Sequence, residues 1–433
     1  MLISFAVRNH RSIEARQVLS LEATSDSHLA ESRVLEAGPL RLLRSIALYG
    51  PNASGKSNVL GALRRMKWLV LASPPSAQVN DPIPVEPFRL TTASEEAPSE
   101  FQVEFWLEGH RYRYGFEADS QAVRTEWLMR RGKGKEAVLF LREGQDIKVG
   151  QPHFSEGRER RRFVLPNVLF LPLCARLNGE VSGKVVGWFQ RLRFLSGLND
   201  VAMLYDTAKR LLDPAHNAVL GSFARHADPT IRCMTSEEFD PVKAGLRLPS
   251  DMSETDRQRV LGQIAMHDTE IKTRHPVFGA DGAEAGTVEF DLKKDASEGT
   301  KKFVALSGPL HMAIEEDAVL VVDEFEARLH PLLTQAVLEW FHGPHNPSRA
   351  QLVLATHDVL LMEPERIRRD QVWFCEKDER GATHLYSLAE FDPQDVRSTT
   401  KFGRQYLLGL FGAVPQLAMM RGEPVRNEPT PHA

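Results

Sequence analysis

The eight residues Gly50-Pro51-Asn52-Ala53-Ser54-Gly55-Lys56-Ser57 constrain this chain more than any other stretch. They match the pattern GxxxxGK[ST], with the apolar run LLRSIALYG before them and the helix-forming, apolar-periodic segment NVLGALRRMKWLVLA after them. Strand, glycine-rich turn and helix in that order build a phosphate cradle. Glycines let successive backbone N–H groups converge on phosphate oxygens, and the positive end of the following helix adds to that field. The run before the turn is apolar enough to be a central strand buried on both faces. Residues Gly50 to Asn58 are therefore expected to line a site for ATP, with Lys56 reaching the β and γ phosphates and Ser57 ligating Mg2+.

A second element fits the first. Val319-Leu320-Val321-Val322-Asp323-Glu324 is an apolar run ending in two carboxylates, which reads as a strand beside the loop strand. Its carboxyl end would then adjoin the phosphates, where Asp323 can hold the magnesium shell and Glu324 can polarise the attacking water. His357 follows a further strand-like run, LVLATHD, and is placed to sense the γ-phosphate.

The rest of the chain surrounds these pieces. Residues 74–100 are proline-rich and polar, and read as surface connection. Between Phe101 and Arg142, four alternating runs predict an antiparallel meander, and residues 176–270 read as mostly helical. α/β character returns near residue 285: a helix from about Thr300, strands AVLVVD and QLVLAT with the helix LLTQAVLEWF between them, then strands VWFCEK and THLYSL. The expected organisation is a discontinuous α/β head from residues 1–73 and 285–433, with a mixed insertion over 74–284.

Composition removes other classes. A chain of 433 residues with 42% hydrophobic and 26% charged residues has the make-up of a soluble globular protein. Lys and Arg number 54 against 58 Asp and Glu, so any nucleic-acid contact must be a local patch. The 3 cysteines are far apart and suggest neither a disulfide framework nor a structural zinc site. With no secretory leader pattern and no run of about 18 apolar residues, a cytoplasmic protein without a membrane span is expected.

The order of these motifs resembles the ABC-type ATPase heads of the SMC and RecF class. That resemblance implies a P-loop α/β fold, and two heads that sandwich ATP and Mg2+ as a homodimer or higher homo-oligomer. It further implies a serine-glycine signature that completes the partner protomer's site. The matching segment here is Ser297-Glu298-Gly299-Thr300, which departs from the LSGGQ form; an ordinary helix N-cap is the alternative. Glu326-Ala327-Arg328-Leu329-His330-Pro331 resembles the E-x-x-LHP stretch of overcoming-lysogenization-defect ATPases, which lies at the protomer interface. Asn9-His10-Arg11-Ser12 resembles the N-F-[RK]-S opening of the same class, with His10 for the usual Phe. The resemblance puts Arg11 near the phosphates; a solvated arginine is the alternative.

The compact head and the tail Tyr406 to Pro415 are similar to stand-alone AAA-type ATPases of bacterial phage-defence pairs, of the RloA and AbiLi type and more loosely the PARIS ATPase. This implies an ATPase that senses or regulates through a separately encoded effector. A RecF-like DNA-repair ATPase is the alternative, with DNA held by the clusters Arg124 to Lys135 and Arg158 to Arg162, and a nucleotide-gated scaffold is a third reading.

Overall fold

The computed structural model describes residues 1–72, 78, 81–132, 134–237, 246, 248, 252–344, 346–392 and 401–415. Residues 73–77 and 79–80 of the proline-rich connection, and Lys133 of the first basic cluster, lie outside these. In chain order the strands are β1 (Leu2–Arg8), β2 (Gln17–Ser20), β3 (Val34–Ala37), β4 (Leu40–Leu43), β5 (Ser45–Tyr49), β6 (Ser99–Leu107), β7 (His110–Ala118), β8 (Val123–Arg131) and β9 (Ala137–Glu143). They continue as β10 (Asp146–Val149), β11 (Leu192–Ser196), β12 (Cys233–Ser236), β13 (Ile271–Phe278), β14 (Glu284–Asp291), β15 (Val319–Asp323), β16 (Gln351–Ala355), β17 (Val372–Lys377) and β18 (Thr383–Ser387).

The chain forms two compact units, the first comprising the described residues within Met1–Phe194, Asp317–Asp323 and Ser348–Ala433. It contains a seven-stranded antiparallel sheet in the order β10-β9-β8-β7-β6-β1-β2. Strict alternation buries Phe101, Val103, Phe105 and Leu107 of β6 on one face, as a half-buried sheet requires. The second sheet runs β11-β15-β16-β5-β17-β18, with β15, β16, β5 and β17 parallel and β18 antiparallel at the edge. Helix Lys56–Ala72 touches β1 and β6 of one sheet and β15 of the other. Its Val59, Leu63, Met66 and Val70 share a single apolar core with Phe5, Phe105, Leu48, Val321 and Val353.

A buried amide ties the sheets together. Gln351 in β16 accepts from Leu2 N at 2.6 Å and donates to Leu2 O at 3.0 Å and Leu43 O at 3.1 Å, linking β1, β4 and β16 through main-chain groups that would otherwise be orphaned. LLRSIALYG is two strands, not one. Leu43 N bonds Leu21 O, whereas the carbonyl of Arg44 accepts from Leu352, so the chain changes pairing partners at Arg44.

The second unit comprises the described residues within Leu195–Glu316 and Glu324–Pro347. Helices Asp200–Leu211, Pro214–Ala224, Glu254–Asp268, Glu298–Glu315 and Pro331–His342 accompany the antiparallel sheet β12-β13-β14. Pro309 lies inside helix Glu298–Glu315 and denies the Ala305 carbonyl its usual donor. Buried Thr207 supplies one instead, its hydroxyl reaching Ala305 O at 2.9 Å while accepting from Gly308 N at 3.1 Å. Among the described residues, no helix is long and apolar enough to cross a membrane.

Two local expectations differ from what is seen. The connection over 74–100 is not all surface, because Ile83 and Phe88 are buried. Asn9 draws this segment in: its Oδ1 accepts from Phe88 N at 3.0 Å, and its Nδ2 donates to Ser94 O at 2.8 Å and Ala97 O at 2.7 Å. The stretch 176–270 holds β11 and β12 among its helices; β12 is stabilised by pairing with β13, some 35 residues on, which no local pattern could announce.

His10, where the resembling family carries Phe, is 1% exposed and packs edge-on to Phe101 at 5.3 Å. Its Nδ1 has no hydrogen-bond partner among the described residues, and burial, reinforced by Arg11, lowers its pKa from 6.5 to about 4. The unfolded chain therefore takes up a proton here before the folded one does. Stability linked to His10 is full above pH 6.5 and falls away as the pH drops through about 4. His10→Phe should remove this term: the stability lost between pH 7 and pH 5, read by chemical denaturation, should shrink by about 2 kcal/mol relative to wild type. An unchanged loss would mean that His10 is protonated in the fold.

Candidate functional site

All five residues of β5 are buried, so the strand is held from both faces and delivers Gly50 to a fixed point at its carboxyl end. Gly50 has φ +148°, and a Cβ there would collide with the Cys375 carbonyl of β17. Gly55 has φ +110°, and a Cβ would run into Thr383 of β18. Only glycine satisfies both the backbone conformation and the approach. Lys56, the first residue of its helix, is 7% exposed and folds its Nζ over the loop, 2.7 Å from Gly50 O and 3.2 Å from Pro51 O. Asn52, Ala53 and Ser57 are exposed on the loop's outer side, while Ser54 is buried with its hydroxyl unpartnered among the described residues.

A directed chain of hydrogen bonds holds the loop from beneath. Asn58 Nδ2 donates to Ser12 Oγ at 2.7 Å, Ser12 and Thr383 hydroxyls meet at 2.8 Å, and Thr383 Oγ1 donates to Ser54 O at 2.9 Å. Each hydroxyl has one proton, so the end donors fix the direction: Asn58 to Ser12, Ser12 to Thr383, Thr383 to the loop carbonyl. Thr383 N also donates to Ser12 O at 2.7 Å. Sequence reasoning missed Thr383 and gave Ser12 no role of its own, and no local signal marks either, since 371 residues separate them.

Asp323 ends β15, and Thr356 and His357 follow β16 at the same carboxyl edge of the sheet. The parallel register, Val322 with Leu354 and Ala355 with Leu48, brings that edge level with the loop. Asp323 Oδ1 is buried without a hydrogen-bond donor among the described residues, an acceptor shaped for a cation or water rather than for the protein. His357 is exposed. Glu324 follows directly, with its backbone in the left-handed region at φ +54°.

Arg11 has a different setting. Its guanidinium donates to both oxygens of Glu86, at 2.8 and 3.2 Å, and lies over Gly61 on the loop helix. With Arg65 also 2.6 Å from Glu86, the hydrogen bonds from Arg11 foremost hold the Glu86 pKa down to about 2. The arginine is committed to a surface ion-pair cluster in this structure.

In the second unit, Ser297 is the N-cap of helix Glu298–Glu315, accepting from Thr300 N at 3.1 Å. Glu298 pairs with Lys301 at 2.8 Å and reaches Arg328 at 3.5 Å, while Arg328 pairs with Asp200 at 2.9 Å. The Arg328 carbonyl lies beside Gly299. The segments containing Ser297–Gly299 and Glu326–Pro331 are thus neighbours within one unit. His330 caps helix Pro331–His342, its Nδ1 accepting from Leu332 N at 3.2 Å.

Four arginines of the basic clusters have partners within the chain. Arg160 donates to Glu156 O at 2.5 Å and Leu177 O at 2.7 Å, Arg161 to Ile147 O at 3.1 Å, and Arg162 pairs with Glu159. Arg124 pairs with Asp119. At the tail, Glu376 of β17 accepts from Ala413 N at 2.9 Å, docking the segment on the second sheet, and Tyr406 donates to Ala413 O at 2.8 Å within the tail. Burial pushes the Tyr406 hydroxyl up to about 12.

One family model, described as AAA domain, putative AbiEii toxin, type IV TA system, matches residues 45–162 and 235–363, together more than half of the chain. No curated protein matches in sequence. Among solved structures, the chain is similar to the SMC head domain from Thermotoga maritima, at 13% identity and a TM-score of 0.42 over 89% of this chain and 98% of that one. It is also similar to an Smc head domain with an extended coiled coil bound to the C-terminal domain of ScpA, from Pyrococcus furiosus, at 11% identity and a TM-score of 0.36 over 89% and 96%.

Thr383→Val should break the hydroxyl chain and cost about 2 kcal/mol in chemical denaturation, whereas Thr383→Ser, which keeps the donor, should cost well under half of that. Equal losses would assign the residue a packing role alone.

Proposed function

This chain belongs to the AAA-domain family described as putative AbiEii toxin, type IV TA system, and we propose that it is a Mg2+-dependent ATPase that dimerises around ATP and controls a separate effector in defence against phage. Its fold is that of a P-loop ATPase head of the ABC type, carrying a β-meander and a helical region. The observation that carries the reading is the common carboxyl edge of β5, β15 and β16. It gathers the loop Gly50–Ser57, the unpartnered carboxylate oxygen of Asp323 and His357 within one unit.

In this reading, Gly50 to Asn58 cradle the triphosphate, and Lys56 leaves the Gly50 carbonyl to take the β and γ oxygens. Ser57 and Asp323 would hold Mg2+, which would supply positive charge beside the phosphates. The buried oxygen of Asp323 fits this role. Glu324 accepts the proton of the attacking water, and His357 donates towards the γ-phosphate. Ser297, Glu298 and Gly299 of one protomer complete the other's site; the exposure of Ser297 and the bare backbone at Gly299 support this. Arg11 belongs to the ATP site only if nucleotide draws it from Glu86. Because the nucleotide would lie between protomers, its state can be linked to release of an effector.

The DNA-repair alternative has less support, since Arg160 and Arg161 are spent on backbone carbonyls. The test has two parts. Purified Glu324→Gln should bind ATP yet hydrolyse it about 100-fold more slowly than wild type, and Lys56→Ala should lose binding. Cells carrying the native operon should resist phage with wild type and lose resistance with either variant. Turnover undiminished in Glu324→Gln would overturn the assigned base. ATP-stimulated duplex binding without resistance to any phage in a broad panel would overturn the defence role.

A further inference from the structure

We propose that His216, His311 and Glu315 form a binding site for a divalent transition-metal ion of the Zn2+ class. The three lie within the second unit, their ligand atoms all within 4.8 Å of one another. His311 and Glu315 are one turn apart on helix Glu298–Glu315, the spacing that puts two side chains on one face, and His216 comes from helix Pro214–Ala224.

The distances suit an ion. His216 Nε2 is 3.0 Å from Glu315 Oε1, and His311 Nδ1 is 3.4 Å from Glu315 Oε2. Ligands about 2.0–2.2 Å from a tetrahedral Zn2+ stand about 3.4 Å from one another. The ring nitrogens can serve it as well. His216 Nδ1 faces the Arg210 carbonyl at 3.3 Å, which keeps a proton on that nitrogen, so an ion would take the place of the proton that Nε2 donates to Glu315. Arg210 Nη1, which can only donate, stands 3.4 Å from His311 Nδ1, so that nitrogen carries a lone pair, which an ion would take over from Arg210.

Entry and charge set the strength. A cavity of about 570 Å3 borders His311 and also His226, whose Nδ1 lies 3.0 Å from Ser222 O and so leaves Nε2 as a further donor nitrogen. Arg210 donates to Glu315 and shares that carboxylate with the ion. A fixed cation beside a divalent one weakens the binding. Because His311 and Glu315 lie on the helix that begins at Ser297, an ion bridging to His216 would clamp that helix to its neighbour.

The full-length, nucleotide-free protein is titrated with Co2+ as a visible-absorption probe, with Zn2+ as competitor. One Co2+ should bind per chain, and His216→Ala and Glu315→Gln should each weaken it by about tenfold or more. Zn2+ should raise the melting temperature of wild type but not of His216→Ala. Lys56→Ala should bind Co2+ like wild type, so failure of the ATPase reading leaves this result intact. No saturable Co2+ spectrum, or equal affinity in folded His216→Ala and Glu315→Gln, would overturn the site.

Discussion

Burial of β5 on both faces is the constraint on which the first unit depends. A strand with parallel neighbours on each side and apolar cover above and below cannot slip by one residue without turning its side chains against the wrong layer. Its end point is therefore fixed, and with it the position of Gly50. Everything at the loop follows from that anchor: the close approach to Cys375, the start of the helix at Lys56, and the alignment of Asp323 two strands away. Helix Lys56–Ala72 then does double duty, filling the space between two sheets that share one apolar core.

The loop is rigid below and polar above. Beneath it, the Asn58–Ser12–Thr383–Ser54 chain uses each hydroxyl proton once and leaves no ambiguity of direction. Above it, Lys56 is held by loop carbonyls, weak partners for a cation compared with phosphate oxygens. Pre-organisation of this kind lowers the reorganisation needed on binding an anion. The second unit shows a related economy. Thr207 replaces the donor that Pro309 removes, and Asp200, Arg328 and Glu298 link the start of one helix to the turn after Glu324.

Legibility followed the range of the interactions. Strands β15, β16 and β17 and the meander β6 to β9 could be read because their burial is written in consecutive or alternate residues. The hairpin β3–β4, strand β12 and the burial of Phe88 could not, since each depends on partners outside a local window. The arginine runs were ambiguous for the same reason: a sequence shows charge, but only the fold shows that Arg160 and Arg161 end on backbone carbonyls.

The sequence by itself determined the loop pattern Gly50–Ser57, the paired acids Asp323 and Glu324, and the α/β character around them, because glycine conformation, helix start and strand burial are encoded within a dozen residues. Only the tertiary structure decided that Thr383 supports the loop, that Arg11 pairs with Glu86, and that His216 meets His311 and Glu315. These are meetings of side chains 75 to 371 residues apart. What brings them together is the shared core and the sheet register, and neither is a property of any one segment.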